Sequence, residues 1–167
     1  MGGAAVMDDE AFMARALQLA AAAGANDEIP VGAVVVIDGE VVGEGANAQI
    51  ATADPTAHAE VVALRDAAAK VGNYRLPGAT LYVTLEPCTM CCGAMVHARV
   101  AELVFATREP KAGAVVSTAN ALDNAALNHQ VRWREGPGRE ASANLLRDFF
   151  RARRAAARGA KPRASAG

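Results

Sequence analysis

Two short segments carry residue types that can do chemistry together. Thr56-Ala57-His58-Ala59-Glu60 and Glu86-Pro87-Cys88-Thr89-Met90-Cys91 each open a stretch with helical periodicity. Cys88 and Cys91 stand at i and i+3, which puts both thiols on one side of a first helical turn. Pro87 suits the first helical position, where its missing N–H costs nothing. A helix N-terminus is electropositive and favours the thiolate that binds metal. His58 adds a third donor from the other helix. One imidazole and two thiolates form a soft nitrogen–sulfur set suited to tetrahedral Zn²⁺, and three protein ligands leave one position open, as catalytic zinc sites do. Glu60 would point away from His58 in mid-helix. At the mouth of a helix both side chains can lean toward a metal beyond its end. The carboxylate then stands beside the metal without ligating it, where it can shuttle protons.

A Cys-x-x-Cys pair with one His also serves structural zinc clips, which close with a fourth protein ligand. Cys92, His97 and His129 are the candidates. Cys92 is rotated by ~100° from Cys91 on a helix and so faces the core. His97 falls off the ligand face, and spacing does not exclude His129.

These segments need elements to hold them. A helix is expected from about Asp8 to Ala23, with Phe12, Ala16, Leu19, Ala20 and Ala23 on one face, Asp8, Asp9 and Glu10 at its positive end and Gly24 as its stop. Val31–Ile37 is a continuous apolar, β-branched run and reads as a buried strand. Asp38-Gly39 is a two-residue hairpin turn, and Glu40–Gly45 returns as a second strand. Thr56–Val71 is helical, Leu81–Leu85 a strand, Thr89–Arg99 a short helix and Glu102–Ala106 a strand. Thr107–Asn128 is irregular, with one helical turn near Ala119–Leu122. Val131–Arg134 is a last strand, and a helix runs from about Arg139 to Arg158. Strands alternating with helices imply a single three-layer α/β domain over residues 1–158, with helices on both faces of the sheet. The small, polar tail Gly159–Gly167 is expected to be disordered.

Composition narrows the function classes. The chain has 167 residues, 52% of them hydrophobic, and a mean hydropathy of +0.11, which excludes a fully disordered chain. Alanine accounts for 41 residues. It buries little surface, so the core is expected from Val, Ile, Leu, Met and the aromatics. Stretches free of charge, such as Pro87–Ala98, fall short of the ~18–20 apolar residues of a membrane span. No basic segment precedes Met1–Val6, so no secretory signal is expected. The three cysteines lie within five positions, which reads as metal binding in a reducing compartment rather than a disulfide framework, and so as a cytoplasmic protein. A net charge of −1 argues against nucleic-acid binding by bulk charge and leaves a local basic patch as the route.

The pairing of His-Ala-Glu with Pro-Cys-x-x-Cys is the signature of zinc deaminases acting on nucleobases. From about Asp9 to Arg154 the chain resembles the TadA family of bacterial tRNA adenosine deaminases, within the cytidine deaminase-like superfamily. The resemblance runs through Pro30-Val31-Gly32-Ala33-Val34, Gly43-Glu44-Gly45-x-Asn47, Asp54–Glu60, Asn73-Tyr74-Arg75-Leu76, Leu81–Cys91, Asn128-His129 and Asp148-Phe149-Phe150-Arg151-x-Arg153-Arg154. It implies an α/β/α domain with a mixed five-stranded sheet, one zinc held by His58, Cys88 and Cys91, and a homodimer. It also implies hydrolysis of adenosine to inosine at the first anticodon position of tRNA. By position, Glu60 moves the protons and Asn47, with the backbone near Leu85–Glu86, meets the flipped base. Glu86 itself reads equally well as a structural carboxylate. Glu109 departs from the family's usual Asp in a loop, Arg108–Gly113, that lies near nucleic acid in relatives. Cys92 departs from its usual alanine and reads as packing.

The C-terminal helix adds independent information. Leu145, Leu146, Phe149 and Phe150 form an apolar stripe that packs the helix on the domain, with Phe149 and Phe150 expected in the core, and the next turn carries Arg153 and Arg154. From Arg147 to Arg163 seven basic residues face one acid, a net of +6, so the other 150 positions carry −7. A deaminase of a large polyanion needs such a patch, and Lys111, Arg153 and Arg154 are expected to contact phosphate. Two rivals remain. A deaminase of a free base or nucleoside would gain nothing from these cations. A non-catalytic zinc-stabilised module would not need Glu60.

Overall fold

The apolar run read as a buried strand is β1 (Gly32–Ile37), and it lies inside a five-stranded sheet. A computed structural model describes residues 2–160, with side chains from residue 9 onward. Before β1 comes α1 (Gly2–Ala25), and after it β2 (Glu40–Ala46), α2 (Gln49–Thr52), α3 (Ala59–Val71), β3 (Thr80–Leu85), α4 (Thr89–Ala98), β4 (Glu102–Thr107), β5 (Arg132–Glu135) and α5 (Arg139–Ala160). The strand order is β2-β1-β3-β4-β5. β1 pairs antiparallel with β2 and β3, whereas β3–β4 and β4–β5 are parallel, so the sheet is mixed as expected. Asp38 and Gly39 both adopt positive φ, 51° and 76°, as a tight hairpin turn requires.

Alternation along the strands sorts the two layers of helices. Val34, Val36, Tyr82, Val104 and Ala106 face Met13 and Ala16 of α1. The start of α5 joins this layer, where Ser142 donates its hydroxyl to the Thr84 carbonyl at 2.6 Å. Ala33, Val35, Leu81, Val83, Leu103 and Phe105 face Ala63 and Ala67 of α3 and Cys92 and Met95 of α4.

The alanines are more than spacers. Ala59, Ala63 and Ala67 are fully buried, and α3 lies directly on β2. A Cβ at Gly43 would come 2.6 Å from the Ala63 carbonyl oxygen, and one at Gly45 would strike the Ala59 carbonyl. Small residues on both partners thus draw the helix onto the strand, which sets the height of the α3 N-terminus.

Several boundaries differ from expectation. α1 continues back to Gly2, so Asp9 and Glu10 are not its first turn. Asp9 instead accepts hydrogen bonds from Arg134 and from the Tyr82 hydroxyl. α3 begins at Ala59 and not near Thr56, because His58 takes extended dihedrals as the N-cap. Pro87 lies outside α4, whose N-cap is Cys88, and Ala119–Leu122 forms turns rather than a helical turn. Phe149 and Phe150 are not core: Ser142 is the one buried residue of α5, and Phe150 is exposed. The two rings pack edge to face 5.4 Å apart on the surface. Gly159 and Ala160 complete α5, and the rest of the expected tail lies outside the described residues.

Candidate active site

Two helix N-termini meet at the ends of the central strands, and each delivers its donors from the N-cap or first turn. His58 caps α3, Cys88 caps α4, and Cys91 follows in the first turn of α4. Extended dihedrals at both caps swing the two side chains beyond the helix ends. His58 Nδ1 lies 3.6 Å from Cys88 Sγ and 3.6 Å from Cys91 Sγ. Tetrahedral bonds of ~2.0–2.1 Å to nitrogen and ~2.3 Å to sulfur put such ligands about 3.6 Å apart. Donor chemistry and spacing therefore both fit one zinc ion.

None of the three alternative fourth ligands joins them. Among the described residues, His58, Cys88 and Cys91 are the one group of His, Cys or carboxylate donors close enough to share a metal. Cys92 is buried in the core, as expected. His129 lies with Nε2 2.6 Å from the Val100 carbonyl oxygen, and His97 is exposed.

Cys91 donates a hydrogen bond to the Cys88 sulfur, and the Cys91 and Met90 backbone N–H groups add to it. Together they outweigh burial and draw the Cys88 thiol down to about 5. Cys91 is pushed up, first because it is the donor in that pair, then by burial and by nearby Glu60. Glu60 is 4% exposed, and burial raises its carboxyl above the usual range, against the hydrogen bond from its own backbone N–H. A raised carboxyl in that position is suited to holding a proton and passing it on.

His58, Cys88 and Glu60 line one cleft of about 240 Å³ with Asn47, Leu85, Glu86, Glu109 and Phe150. That is below the ~300–1,000 Å³ of sites for drug-sized ligands and suits one planar ring system. Asn47 is 8% exposed and its Oδ1 accepts the Ala59 N–H at 2.8 Å, which ties it to the first turn of α3. Its amide N–H groups remain to donate into the cleft.

Glu86 resolves to a structural carboxylate. It accepts the backbone N–H groups of Glu109, Val115, Val116 and Ser117 and the Ser117 hydroxyl. Burial works to raise its carboxyl, but these donors prevail and hold it below the usual range. Glu109 uses its own carboxylate to accept the Lys111 N–H at 2.9 Å.

A second, polar depression adjoins the cleft. Lys111, Pro110 and Glu109 form one side, and Arg147, Phe150 and Arg154 of α5 form the other. Lys111 and Arg154 thus share a groove, whereas Arg153 lies 5.1 Å over the Phe149 ring. Residues 151–160 are all exposed, so the basic end of α5 runs past the domain. Sequence reasoning places Phe150 in the core and so misses it as a wall of both cleft and groove. Its spacing four residues before Arg154 is the signal that could have found it.

The chain matches the MafB19-like deaminase family over residues 7–154. A tRNA-specific adenosine deaminase of Haemophilus influenzae is 48% identical over 147 residues, which cover 87% of this chain and 85% of that one. A structure solved in studies of A-to-I editing by tRNA:A34 deaminases at the wobble position of transfer RNA superposes with a TM-score of 0.80 at 42% identity. That match covers 82% of this chain and 99% of the other. A guanine deaminase from Nitrosomonas europaea is more distant, with a TM-score of 0.70 and 28% identity over 84% of this chain and 83% of its own. Among the described residues no helix is long and apolar enough to cross a membrane.

Proposed function

The chain belongs to the MafB19-like deaminases and to the tRNA-specific adenosine deaminases, and on that footing we propose that it converts adenosine to inosine at the wobble position of tRNA. The observation that carries the reading is the cleft itself, where His58 and Cys88 line the same small space as a buried, protonatable Glu60, and Cys91 stands behind them at ligand distance from His58. His58, Cys88 and Cys91 hold one zinc. When bound, zinc lowers the pKa of a ligated water from 15.7 to around 7 and so supplies hydroxide at neutral pH.

The chain's own groups do the rest. Asn47 donates to an acceptor on the flipped base and fixes its plane. Glu60 takes the proton from the water and delivers it to ring nitrogen N1 as oxygen bonds to C6. It then takes the remaining proton from the new C6 hydroxyl and gives it to the amino nitrogen as the C6–N bond breaks, which releases ammonia and leaves the C6 carbonyl of inosine. Phe150 and the Glu109 loop cover the base. Lys111, Arg153 and Arg154 meet phosphates of the anticodon stem-loop, where an unpaired base costs little to extrude. The domain over residues 1–158 works as a homodimer in the cytoplasm.

Ammonia release from an anticodon stem-loop, compared with free adenine, adenosine, guanine and cytosine, tests the assignment. Turnover of the stem-loop with inert free bases is expected. Efficient turnover of a free base with an inert stem-loop would transfer the protein to the free-base deaminases and leave the proton chemistry of Glu60 intact.

A further inference from the structure

The long segment between β4 and β5, residues 108–131, has no helix or strand, yet it forms a wall of the cleft through Glu109 and Ala112 and carries Lys111. A wall of this kind needs an anchor, because a long irregular connection has few bonds of its own to fix it. Beside the buried Ala114, Val115 and Leu122, one side chain gathers most of the polar anchoring next to the cleft. Glu86 is 3% exposed, and three consecutive backbone N–H groups, from Val115, Val116 and Ser117, converge on its Oε2 at 3.1, 2.9 and 3.0 Å. Consecutive N–H groups in a turn form a concave anion site, and here an internal carboxylate fills it. On the other oxygen, Oε1 accepts the Glu109 N–H at 3.0 Å and the Ser117 hydroxyl.

Glu86 is also joined to the metal side. Its backbone N–H donates to the Thr107 carbonyl at 2.8 Å, and the next carbonyl, of Pro87, accepts the Ala114 N–H at 2.8 Å. Cys88 follows directly. Gly113 leaves room for this approach, since a Cβ there would strike the Glu86 carboxyl group.

We propose that Glu86 is a positioning residue for substrate: it clamps the 109–117 loop to the strand end that bears Cys88, and so sets the distance between the cleft wall and the metal centre. This rests on the reading of the cleft as the stem-loop site. A carboxylate is the side chain that fits, because it offers about four lone-pair sites and no donor, whereas an amide would turn N–H groups toward N–H groups.

The test is Glu86→Gln, with metal content, amide hydrogen exchange and steady-state kinetics on an anticodon stem-loop. The expected variant keeps one zinc per chain but loses exchange protection at Glu109, Val115, Val116 and Ser117. Its kcat/KM falls roughly 10–100-fold, the scale of an ~1 Å misplacement near a reacting centre, with most of the change in KM. Gly113→Ala and Ser117→Ala disturb the clamp while keeping the Glu86 carboxylate itself and should raise KM in the same direction, which keeps the test open if the Gln variant misfolds. Loss of zinc in folded Glu86→Gln protein, a fall in kcat alone, or unchanged KM in all three variants would overturn the positioning role. The unmutated protein separates the two readings: if it is inert on the stem-loop, the substrate assignment fails, and exchange at the four amides still decides whether the clamp exists.

Discussion

Cys91 Sγ lies 3.6 Å from His58 Nδ1, although 33 residues separate them in the chain. That spacing fits a ligand–ligand edge of a tetrahedral metal site. Purified protein should therefore carry one zinc per chain, with Zn–S near 2.3 Å by X-ray absorption. Cys91→Ser should lose the metal and all turnover, whereas His129→Ala and Cys92→Ala should keep it. Metal retained by Cys91→Ser but absent from His129→Ala would show a different ligand set.

Glu60 is buried beside this site with its carboxyl raised by desolvation. Glu60→Gln keeps size and removes the exchangeable carboxyl proton. Folding and zinc content should persist while turnover falls by at least ~10²–10⁴-fold. Near-normal turnover would show that another group moves the protons.

The basic end of α5 should act through phosphate. Truncation after Phe150 retains the apolar stripe and removes Arg151, Arg153, Arg154 and Arg158. Stem-loop affinity should drop. The slope of log K against log salt should flatten by about 0.7–0.9 for each phosphate that the shortened helix no longer neutralises. An unchanged slope in a filter-binding titration would make this segment a solvated helix end.

Asp9 ties α1 to the sheet through Arg134 and the Tyr82 hydroxyl, and the Arg134 bond, foremost, holds its carboxyl below the usual range against burial. Because the folded value is lower than the unfolded one, its stabilisation is fully present above the unfolded pKa of ~3.9. It is lost as pH falls through the folded value. Asp9→Asn should lower stability in urea by about 1.5–3 kcal/mol at pH 7, the scale of hydrogen bonds to charged groups. The gap from the unmutated protein should narrow as pH falls below the unfolded value of ~3.9. A gap that persists there would assign the loss to packing instead.

Gly45 faces the Ala59 carbonyl across the α3–β2 seam with no room for a methyl group. Gly45→Ala should cost about 1–3 kcal/mol in thermal or urea unfolding and also reduce zinc affinity, since α3 carries His58 at its cap. Full stability with full zinc loading would show that α3 can shift without moving the site.

Much of this protein is determined locally. A period of 3.6 residues marks the longer helices, a continuous β-branched run marks the first strand, and the Asp38-Gly39 turn follows from two residues that accept positive φ. Residue types alone mark His58, Cys88 and Cys91 as a metal set, because few side chains ligate zinc. The tertiary structure decided what periodicity cannot carry. Whether His129 closes the metal site depended on where an irregular loop runs, and it runs to the Val100 carbonyl. Glu86 reads from sequence as an acid before a helix, but its five donors come from residues 23–31 positions away and exist only once that loop has folded over it. Phe149 and Phe150 look like core because hydrophobic spacing reports a helical face, not what lies opposite it. On that face Phe150 lines the cleft and the basic groove, and Phe149 lies under Arg153, instead of either filling an interior.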